Sequence, residues 1–212
     1  MNEILICICT FNRNKSLINC LKSIQKLKKV NAYKVKILVL DNSNNNNSYN
    51  TIKKFKKKTN LELIQAHESR RGIVFARNKC LKISKKLKPE FIAFIDDDCK
   101  VDKNWLKNIF KLLVNVDADV VTGPQKYEQP NYKKNNFASL FEKKYNEKIL
   151  KVSWAASNNV FFKYEILKKI KDIKFDKNLN KFWIGEDQLF FSLINKNGYK
   201  IYWSKNIFVT EK

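Results

Sequence analysis

The stretch Phe91-Ile92-Ala93-Phe94-Ile95-Asp96-Asp97-Asp98-Cys99 decides how the rest of the sequence is interpreted. It is an apolar run of strand length that ends in three consecutive carboxylates. In open α/β sheets, ligands bind beyond the carboxyl ends of the strands. Three adjacent Asp side chains repel one another unless a positive group lies between them, and Mg²⁺ typically takes one or two carboxylates together with substrate phosphates. The alternative is a solvated, Asp-rich turn after a buried strand, and other segments must decide between the two.

The composition is that of a globular protein. The chain has 212 residues, of which 44% are hydrophobic, which suits one domain with a sizeable core and room for two lobes. No apolar run reaches the roughly 20 residues of a membrane span. The N-terminus, Met1-Asn2-Glu3-Ile4, has no basic region and resembles a strand, so we expect no cleaved signal peptide. Five cysteines, an odd number without zinc spacing, predict reduced core residues of a cytoplasmic protein.

The formal net charge of +23 raises the question of a nucleic-acid partner. Two facts argue against one: the lysines are spread through every segment, and all but four of the 43 basic residues are Lys. Lys, Asn, Ile and Phe are abundant together, which indicates a compositional bias of the source. The Lys-rich surface favours peripheral contact with an anionic membrane surface over binding to DNA.

The four arginines are Arg13, Arg70, Arg71 and Arg77, all in the N-terminal half. The planar guanidinium grips phosphate in a bidentate manner, whereas a Lys ammonium is a point charge. In a chain that otherwise uses Lys, this usage indicates a phosphate-binding region in the N-terminal half.

Apolar runs and amphipathic stretches alternate along the first 122 residues. Strands are predicted at 4–9, 35–40, 61–65, 91–95 and 119–122, and helices at 17–27, 49–55, 76–87 and 105–113. Strict β/α alternation predicts a mostly parallel central sheet flanked by helices on both faces.

The second part of the sequence has a different pattern. Residues 123–135 predict a long surface loop, with a lid as one function for it, and aromatic spacing predicts a helix that reaches Ile149. Residues 152–162 predict a strand with a polar interruption at Ser157-Asn158-Asn159. A helix follows Asp187 and ends at Gly198, which suits a C′ position. Short strands are expected at 199–203 and 207–210.

Polar residues follow three predicted strands at the same sheet edge, in Thr10–Arg13, Asp41–Ser43 and Asp96–Asp98. A fourth group, Arg71–Asn78, opens the helix before the Asp strand, and helix N-termini and arginines favour anions. Together these groups predict a pocket for a nucleotide diphosphate with a metal. The sequence has neither a Gly-rich dinucleotide fingerprint nor a Walker loop, which argues against NAD-dependent and ATPase functions.

At these positions the sequence resembles the family 2 glycosyltransferases of GT-A fold. Thr10-Phe11-Asn12-Arg13 is similar to their first-strand segment, and Asp41-Asn42-Ser43 to the turn that contacts the nucleotide base. Arg71-Gly72-Ile73-Val74-Phe75-Ala76-Arg77-Asn78 matches the Arg-Gly and Ala-Arg-Asn pattern. Asp96-Asp97-Asp98 matches the DXD motif and precedes Asn104-Trp105-Leu106, and Gly185-Glu186-Asp187-Gln188-Leu189 matches the segment of the general base. The five motifs occur in order along nearly the whole chain.

The resemblance implies a single GT-A domain over residues 1–212, with an α/β, Rossmann-like sheet. Residues 1–122 would form the nucleotide-sugar-binding half and residues 123–212 the smaller half for the acceptor and the catalytic base. The implied enzyme is a metal-dependent, inverting glycosyltransferase with a nucleotide-sugar donor. We expect this donor to be UDP-linked. Its acceptor would be a glycan, a lipid-linked saccharide or a glycolipid, and its place the cytoplasmic face of the membrane.

The same resemblance assigns roles to individual residues. Asp98 and Asp96 would hold Mg²⁺ or Mn²⁺, with contact to the ribose as the alternative for Asp97. Asp187 would be the general base and Glu186 its helper. The residues expected to bind the donor are Thr10, Phe11, Asn12, Arg13, Asp41, Asn42, Arg71, Arg77, Asn78, Asp96 and Asp97.

Several roles have structural alternatives. Asp187 could cap its helix instead. Trp183 could stack on a sugar or close the core, and Asn158 and Asn159 could meet acceptor hydroxyls or form a bulge. Many relatives carry a metal-binding His near the C-terminal strand, where this sequence has Glu211. Either Glu211 completes the metal site with water and phosphate, or a segment beyond Lys212 has been removed.

Two other functions are compatible with parts of the sequence. A sugar nucleotidyltransferase shares this sheet architecture but needs a Gly-rich phosphate loop after the first strand, which Thr10–Arg13 does not supply. A basic nucleic-acid-binding module would show steep salt dependence, but it leaves the carboxylate motifs unexplained. We therefore expect no nucleic-acid partner.

Overall fold

Strands and helices alternate along the N-terminal half, as the hydrophobic pattern predicts. The computed structural model of the chain describes residues 2–128, 149–181 and 185–211. The strands are β1 (Asn2–Thr10), β2 (Tyr33–Asp41), β3 (Glu62–His67), β4 (Phe91–Ile95), β5 (Cys99–Val101), β6 (Val120–Thr122), β7 (Gln125–Tyr127), β8 (Ile149–Val152), β9 (Asn159–Lys163), β10 (Ile201–Ser204) and β11 (Val209–Glu211). The helices are α1 (Asn14–Gln25), α2 (Tyr49–Lys56), α3 (Ile73–Leu87), α4 (Trp105–Val116), α5 (Glu165–Lys169) and α6 (Glu186–Lys196), with a 3₁₀ helix at Lys177–Lys181.

The larger sheet has eight strands in the order β3-β2-β1-β4-β9-β6-β10-β8. Strands β3, β2, β1 and β4 are parallel to one another, and β6 pairs with β10 in parallel. Strand β9 lies between β4 and β6 and is antiparallel to both. The sheet is thus mostly parallel, and β9, from the second part of the chain, lies between two strands of the first part.

Helices cover both faces of this sheet because the apolar residues of β1 alternate between two cores. Ile4, Ile6 and Ile8 pack in one cluster with α1, α2 and α4 residues, whereas Leu5 and Cys7 pack in a second cluster with residues of α3 and α6. Side chains of a strand alternate between its faces, so a continuous apolar run fits a strand that is buried on both sides. The prediction of helices on both faces is confirmed.

A smaller sheet of order β5-β11-β7 continues from the carboxyl edge of the larger one. It brings β11 beside β5, the strand that directly follows the three carboxylates, and pairs Glu211 with Cys99. The sequence pattern had not predicted β5, and it had placed β7 in a surface loop. Three-residue strands are too short to show a periodicity.

Two predicted elements differ in the second part. The region 152–162 is not one strand, because β8 and β9 occupy different places in the sheet and residues 153–158 connect them. Ile149, predicted as the end of a helix, begins β8; the rest of that helix and of the loop lies in 129–148, outside the described residues. The turn after α6 is as predicted, since Gly198 has a positive φ of 90°. In the described ranges, no helix has the length and apolarity to cross a bilayer.

Candidate functional site

A cleft of about 350 Å³ opens at the carboxyl edge of the parallel strands. Its walls come from the end of β1, the start of α3, the end of β4 and the start of α6. Of the predicted site residues, those that line it are Thr10, Phe11, Arg13, Asn42, Arg71, Arg77, Asp96, Asp97 and Glu186. The register explains the meeting of distant segments, because β1 pairs with β2 on one side and β4 on the other. Three predicted groups therefore end at one edge.

The three consecutive carboxylates have different surroundings. Asp97 is buried, and its carboxylate accepts a hydrogen bond from the Thr10 hydroxyl at 2.6 Å. The Arg13 guanidinium lies 3.3 Å from Asp97 and 2.5 Å from Asp98. Arg13 thus bridges two of the three carboxylates, and its own side chain remains 56% exposed toward the cleft mouth.

Burial, together with neighbouring negative charge, raises the pKa of three carboxylates in this region. Burial raises the pKa of Asp97 to about 6, and the neighbouring Asp98 and Asp96 act in the same direction. Burial also raises the pKa of Asp96 and that of Glu211, and for Glu211 the charges of Asp98 and Asp96 add to the rise. Carboxylates that raise one another's pKa form a site where a cation is favoured.

The buried Arg77 joins two segments of the cleft. Its guanidinium donates a hydrogen bond to Glu186, which is itself buried, and lies 3.7 Å from Asp96. The surrounding carboxylates Asp96, Asp187 and Glu186 raise the pKa of Arg77 although its desolvation opposes this. A buried charge needs such partners, so this arrangement fixes the start of α6 against α3.

The turn before α3 is shaped by the side chain of Asn42. Its amide nitrogen donates to the carbonyls of Glu68 and Arg70 at 2.7 and 2.8 Å, and its oxygen accepts from the Gly72 N–H at 2.9 Å. Gly72 has φ 132°, a conformation open to glycine. Next to it, the Arg71 guanidinium lies 5.3 Å from the ring centroid of Phe11, which is 38% exposed. An aromatic ring and a cation thus meet at the cleft.

Asp187 is held at the N-terminus of α6. Its carboxylate accepts hydrogen bonds from the Ser157 N–H at 3.0 Å, from the Ser157 hydroxyl at 3.1 Å and from the Gln188 N–H at 2.8 Å. The side chain is only partly buried. Bonds from the connection between β8 and β9 fix its orientation, and the bond from Gln188 satisfies a backbone donor in the first turn, as a capping carboxylate would.

Four other predicted residues have their polar atoms engaged within the protein. Asp41 is buried and accepts from the Ser43 and Ser48 N–H groups at 2.7 and 2.6 Å. Asn12 accepts from the Asn47 amide at 2.7 Å. Asn78 exchanges two hydrogen bonds with the backbone of Phe175, at 2.8 and 2.9 Å. Asn12, Asp41 and Asn78 stabilise the loops around the cleft, and direct contact with a donor stays a prediction for them.

The fourth is Asn159, which the sequence had suggested as an acceptor-binding residue. It is fully buried, accepts from the Trp105 indole at 2.9 Å and donates to the Ile207 carbonyl at 2.7 Å. The structure gives it a place in the core, linking β9 to α4 and to the segment before β11. We therefore do not carry Asn159 forward as an acceptor ligand. Trp183 lies outside the described residues.

A second cavity, of about 630 Å³, lies beside Asn158 and is lined largely by apolar residues, including Trp154 and Trp203. The Asn158 amide donates to the side-chain oxygen of Gln125 in the same wall. The preceding residue is Ser157, which holds Asp187, so one short segment connects this cavity with the candidate base.

Two contributors to the site were absent from the sequence prediction. Ser157 was assigned only to a polar interruption of a strand, although it positions Asp187. Cys9 was assigned to the core, although it lines the cleft. No local signal identifies either of them, because Ser157 meets a residue 30 positions away in the chain.

The described ranges do not contain a ready-made group of three His, Cys, Asp or Glu side chains at metal-binding distances. The donor set nevertheless fits a hard divalent cation. Asp96, Asp98 and Glu211 are carboxylates, the ligand type that Mg²⁺ and Mn²⁺ prefer. Burial raises the pKa of Asp96 and of Glu211, and the negative charge of Asp98 adds to both rises.

Comparison with known proteins shows the family of this chain. The model of glycosyl transferase family 2 matches residues 5–178. The chain is 27% identical over 209 residues to "Poly(ribitol-phosphate) beta-N-acetylglucosaminyltransferase TarP" of Staphylococcus aureus, covering 95% of this chain and 60% of that protein. It is 26% identical over 124 residues to "Glycosyltransferase GlyG" of Streptococcus pneumoniae, covering 58% of this chain and 39% of that protein.

Solved structures share the fold. S. aureus TarS 1-349 in complex with UDP-GlcNAc superposes with a TM-score of 0.70 at 21% identity, covering 99% of this chain and 59% of that one. A mannosyltransferase of Pyrobaculum calidifontis in complex with GDP-Man and Mn²⁺ gives a TM-score of 0.73 at 18% identity, covering 98% of this chain and 56% of that one. The present chain thus spans 60% or less of the length of these relatives.

Proposed function

The chain belongs to glycosyl transferase family 2, and from this we propose that it transfers a sugar from a nucleotide-sugar donor to an acceptor hydroxyl, inverting the anomeric configuration. The donor we propose is UDP-linked. Two observations support this choice: the TarS relative is described in complexes with UDP and UDP-GlcNAc, and the cleft presents an exposed aromatic ring with arginines beside carboxylates. The proposed organisation is one domain, with the donor side in residues 1–122 and the acceptor side in residues 123–212.

The proposal rests mainly on one observation: cations, an aromatic ring and carboxylates line the same cleft. Cationic Arg13 and Arg71 suit a diphosphate, and Phe11 offers a face for a nucleobase. The carboxylates Asp96 and Asp97 line the same cleft as these cations and as Glu186, whose neighbour Asp187 is the candidate base. A transferase for nucleotide sugars needs these elements within the length of one donor molecule.

A divalent cation is part of the proposal. Asp98 and Asp96 would hold Mg²⁺ or Mn²⁺, with Glu211 as third carboxylate, while Asp97 contacts Thr10 and would orient the ribose side. When bound, the ion would neutralise charge on the departing diphosphate. Its fit rests on the carboxylate ligand type and on the local charge. Burial raises the pKa of Asp96 and Glu211, the charge of Asp98 adds to both rises, and a bound cation would offset this repulsion.

Asp187 is the proposed general base. The acceptor oxygen attacks the anomeric carbon, its proton passes to a carboxylate oxygen of Asp187, and the bond from the anomeric carbon to the diphosphate breaks with its electron pair on the phosphate oxygen. Ser157 and Gln188 hold the carboxylate for this step, and Arg13 offers positive charge near the leaving group. Attack opposite the leaving group inverts the configuration.

The acceptor we propose is a glycan, a lipid-linked saccharide or a glycolipid. The second cavity supports an acceptor side next to the base, since Asn158 lines it and indole faces, as in Trp203, suit sugar rings. The role of Trp183 as a stacking residue stays part of this proposal. The relative TarP is named a poly(ribitol-phosphate) beta-N-acetylglucosaminyltransferase, and that name describes TarP alone.

We further propose that the enzyme works on the cytoplasmic side, in peripheral contact with anionic lipid. The formal net charge of +23 supports this. Co-sedimentation with vesicles that contain phosphatidylglycerol should occur at low salt and decline as salt rises. Vesicles of phosphatidylcholine alone are the control, and equal binding to both would contradict the contact.

The donor is tested by the melting temperature of the chain with a panel of nucleotides and MnCl₂. Because a ligand that binds only the folded state stabilises it, UDP and a UDP-sugar should raise the melting temperature in the presence of Mn²⁺ and not in EDTA. GDP, ADP and NAD are the matched controls. A larger shift with GDP would replace the UDP assignment, and no shift with any nucleotide would overturn the donor site.

A further inference from the structure

Two cysteines meet at the wall of the cleft although they are 71 residues apart in the chain. The sulfur atoms of Cys9, near the end of β1, and Cys80, in α3, lie 3.8 Å apart. The five cysteines of the chain are all free thiols in this structure. Among them, Cys9 is the one that is only partly buried, and the other four are enclosed in the core.

From this pair we propose a modification site: Cys9 reacts with a peroxide that enters the cleft, and the product is trapped as a disulfide with Cys80. The cleft gives a small oxidant access to Cys9, since this residue lines it. Cys80 is fully buried, and so is Cys7. The accessible sulfur thus reacts first, and the buried partner resolves it.

The chemistry is balanced in two steps. The Cys9 sulfur attacks one oxygen of hydrogen peroxide, an S–O bond forms, the O–O bond breaks, and the departing hydroxide takes the thiol proton to leave as water. The Cys80 sulfur then attacks the Cys9 sulfur, an S–S bond forms, the S–O bond breaks, and a second water leaves. Two thiols lose two electrons in total, and the peroxide is reduced to two waters.

The distance to be closed is small. A disulfide has an S–S length of about 2.05 Å, so the two sulfurs must approach by less than about 2 Å. Cys80 lies one helical turn after Arg77 and Ala76, which both line the cleft. Pulling Cys80 toward β1 therefore also moves the turn that carries Arg77, whose guanidinium interacts with Cys9, Asp96 and Glu186.

We infer that the disulfide alters the donor cleft. This consequence rests on the proposed function, whereas the modification itself does not. A reductant such as dithiothreitol would restore the two thiols and with them the original position of α3.

The test treats the whole chain with hydrogen peroxide and maps its cysteines by mass spectrometry. We expect a loss of two hydrogen masses, two fewer titratable thiols than the five of the untreated chain, and a cross-linked peptide pair that contains Cys9 and Cys80. Dithiothreitol should reverse all three changes. Absence of a reaction, or a cross-link between Cys7 and Cys80 or any other pair, would overturn the proposal.

Two variants sharpen the result. Cys80→Ala should form no cross-link and instead accumulate sulfenic acid on Cys9, detectable as a dimedone adduct. Cys20→Ala removes an equally buried thiol from the other face of the sheet and should cross-link like the natural chain. If Cys80→Ala fails to fold, Cys9→Ser removes the accessible thiol instead, and this variant should form no cross-link and should retain its four remaining thiols after peroxide treatment. Loss of the cross-link in Cys20→Ala would contradict the pairing.

A protection experiment separates this proposal from the proposed function. UDP with MnCl₂ should slow the reaction of Cys9 with N-ethylmaleimide if the cleft is the donor site. A cross-link without protection would support the modification site and contradict the donor assignment. Protection without a cross-link would support the donor assignment and contradict the modification site.

Discussion

Arg77 and Glu186 form a buried ion pair between two segments that are 109 residues apart in the chain. Arg77 belongs to the helix before the carboxylate strand, and Glu186 directly precedes the candidate base. The pair therefore couples the position of α3 to that of Asp187, the proposed general base. Both side chains are less than a tenth exposed, so water cannot solvate one charge if the other is removed.

Replacing Arg77 by Ala should destabilise the fold. Glu186 would be left as a buried charge without its main partner, and breaking such a pair costs roughly 3–5 kcal/mol. For a domain of this size, this lowers the melting temperature by about 6 °C or more. The matched control is Lys169→Ala, because Lys169 pairs with Glu165 and both side chains are more than half exposed, and such pairs contribute only about 0.2–1 kcal/mol. Equal shifts for the two variants would contradict the buried pair.

Asp98→Ala should abolish turnover and the metal-dependent binding of UDP. The change removes a proposed metal ligand and also the partner of Arg13 at 2.5 Å. Calorimetric titration with UDP and MnCl₂ measures the binding, and the natural chain in EDTA should behave like the variant. Glu165→Ala, a carboxylate on α5 that is 57% exposed, is the control and should bind normally. Full activity of Asp98→Ala would show that Asp98 is not a metal ligand in the reaction.

Asp187→Asn should keep donor binding and lose transfer. The amide has nearly the same shape but cannot take a proton from the acceptor, and a general base contributes about 10²–10⁴-fold to a rate. Ser157 can still donate to the remaining oxygen, so the fold should be preserved. The measurement compares the transfer rate with the UDP affinity, and Gln188→Ala at the exposed neighbouring position is the control. A normal transfer rate in Asp187→Asn would exclude it as the base.

The unliganded chain should lose stability between pH 4 and 6 through Asp97. Its pKa in the fold is about 6, above the value of about 3.9 in an unfolded chain, so the folded state binds this proton more tightly. The stabilisation of the folded state by protonated Asp97 is fully present below about pH 4 and is lost as the pH rises through about 6. It amounts to roughly 3 kcal/mol.

The measurement is the melting temperature from pH 4 to 7 for the natural chain and for Asp97→Asn. The amide does not titrate, so the natural chain should lose about 5 °C or more relative to the variant over this range. A constant difference between the two curves would show that Asp97 has an ordinary pKa in the fold.

Gly72→Ala should weaken both the fold and UDP binding. A Cβ at this position would lie 2.0 Å from the side-chain oxygen of Asn180, and φ 132° disfavours any L side chain. Gly198→Ala provides the comparison, since Gly198 also has a positive φ but no neighbour within 4 Å of the added carbon. Thermal unfolding and UDP titration of both variants should show the larger loss for Gly72→Ala. Similar values would indicate that contact with Asn180 is unimportant.

The sequence predicted best those parts of the molecule that local patterns determine. Buried parallel strands are continuous apolar runs, so β1, β2 and β4 and the polar residues after them were identified, and with them the position of the cleft. The place of β9 could not be predicted, because pairing with β4 depends on contacts between residues about 70 positions apart. The role of Asn159 could not be predicted for the same reason, since its hydrogen-bond partner Trp105 is 54 positions away in the chain.

The antiparallel strand between β4 and β6 also constrains how the protein can form in the cell. Until residues 159–163 have left the ribosome, β4 has a free edge along an apolar strand, and such edges invite pairing with other chains. The strand that carries the carboxylate motif therefore gains its second neighbouring strand only after residues 159–163 have been synthesised. A nascent chain that stalls near residue 122 would expose this edge, and we expect a chaperone that shields apolar strands to bind it at that stage.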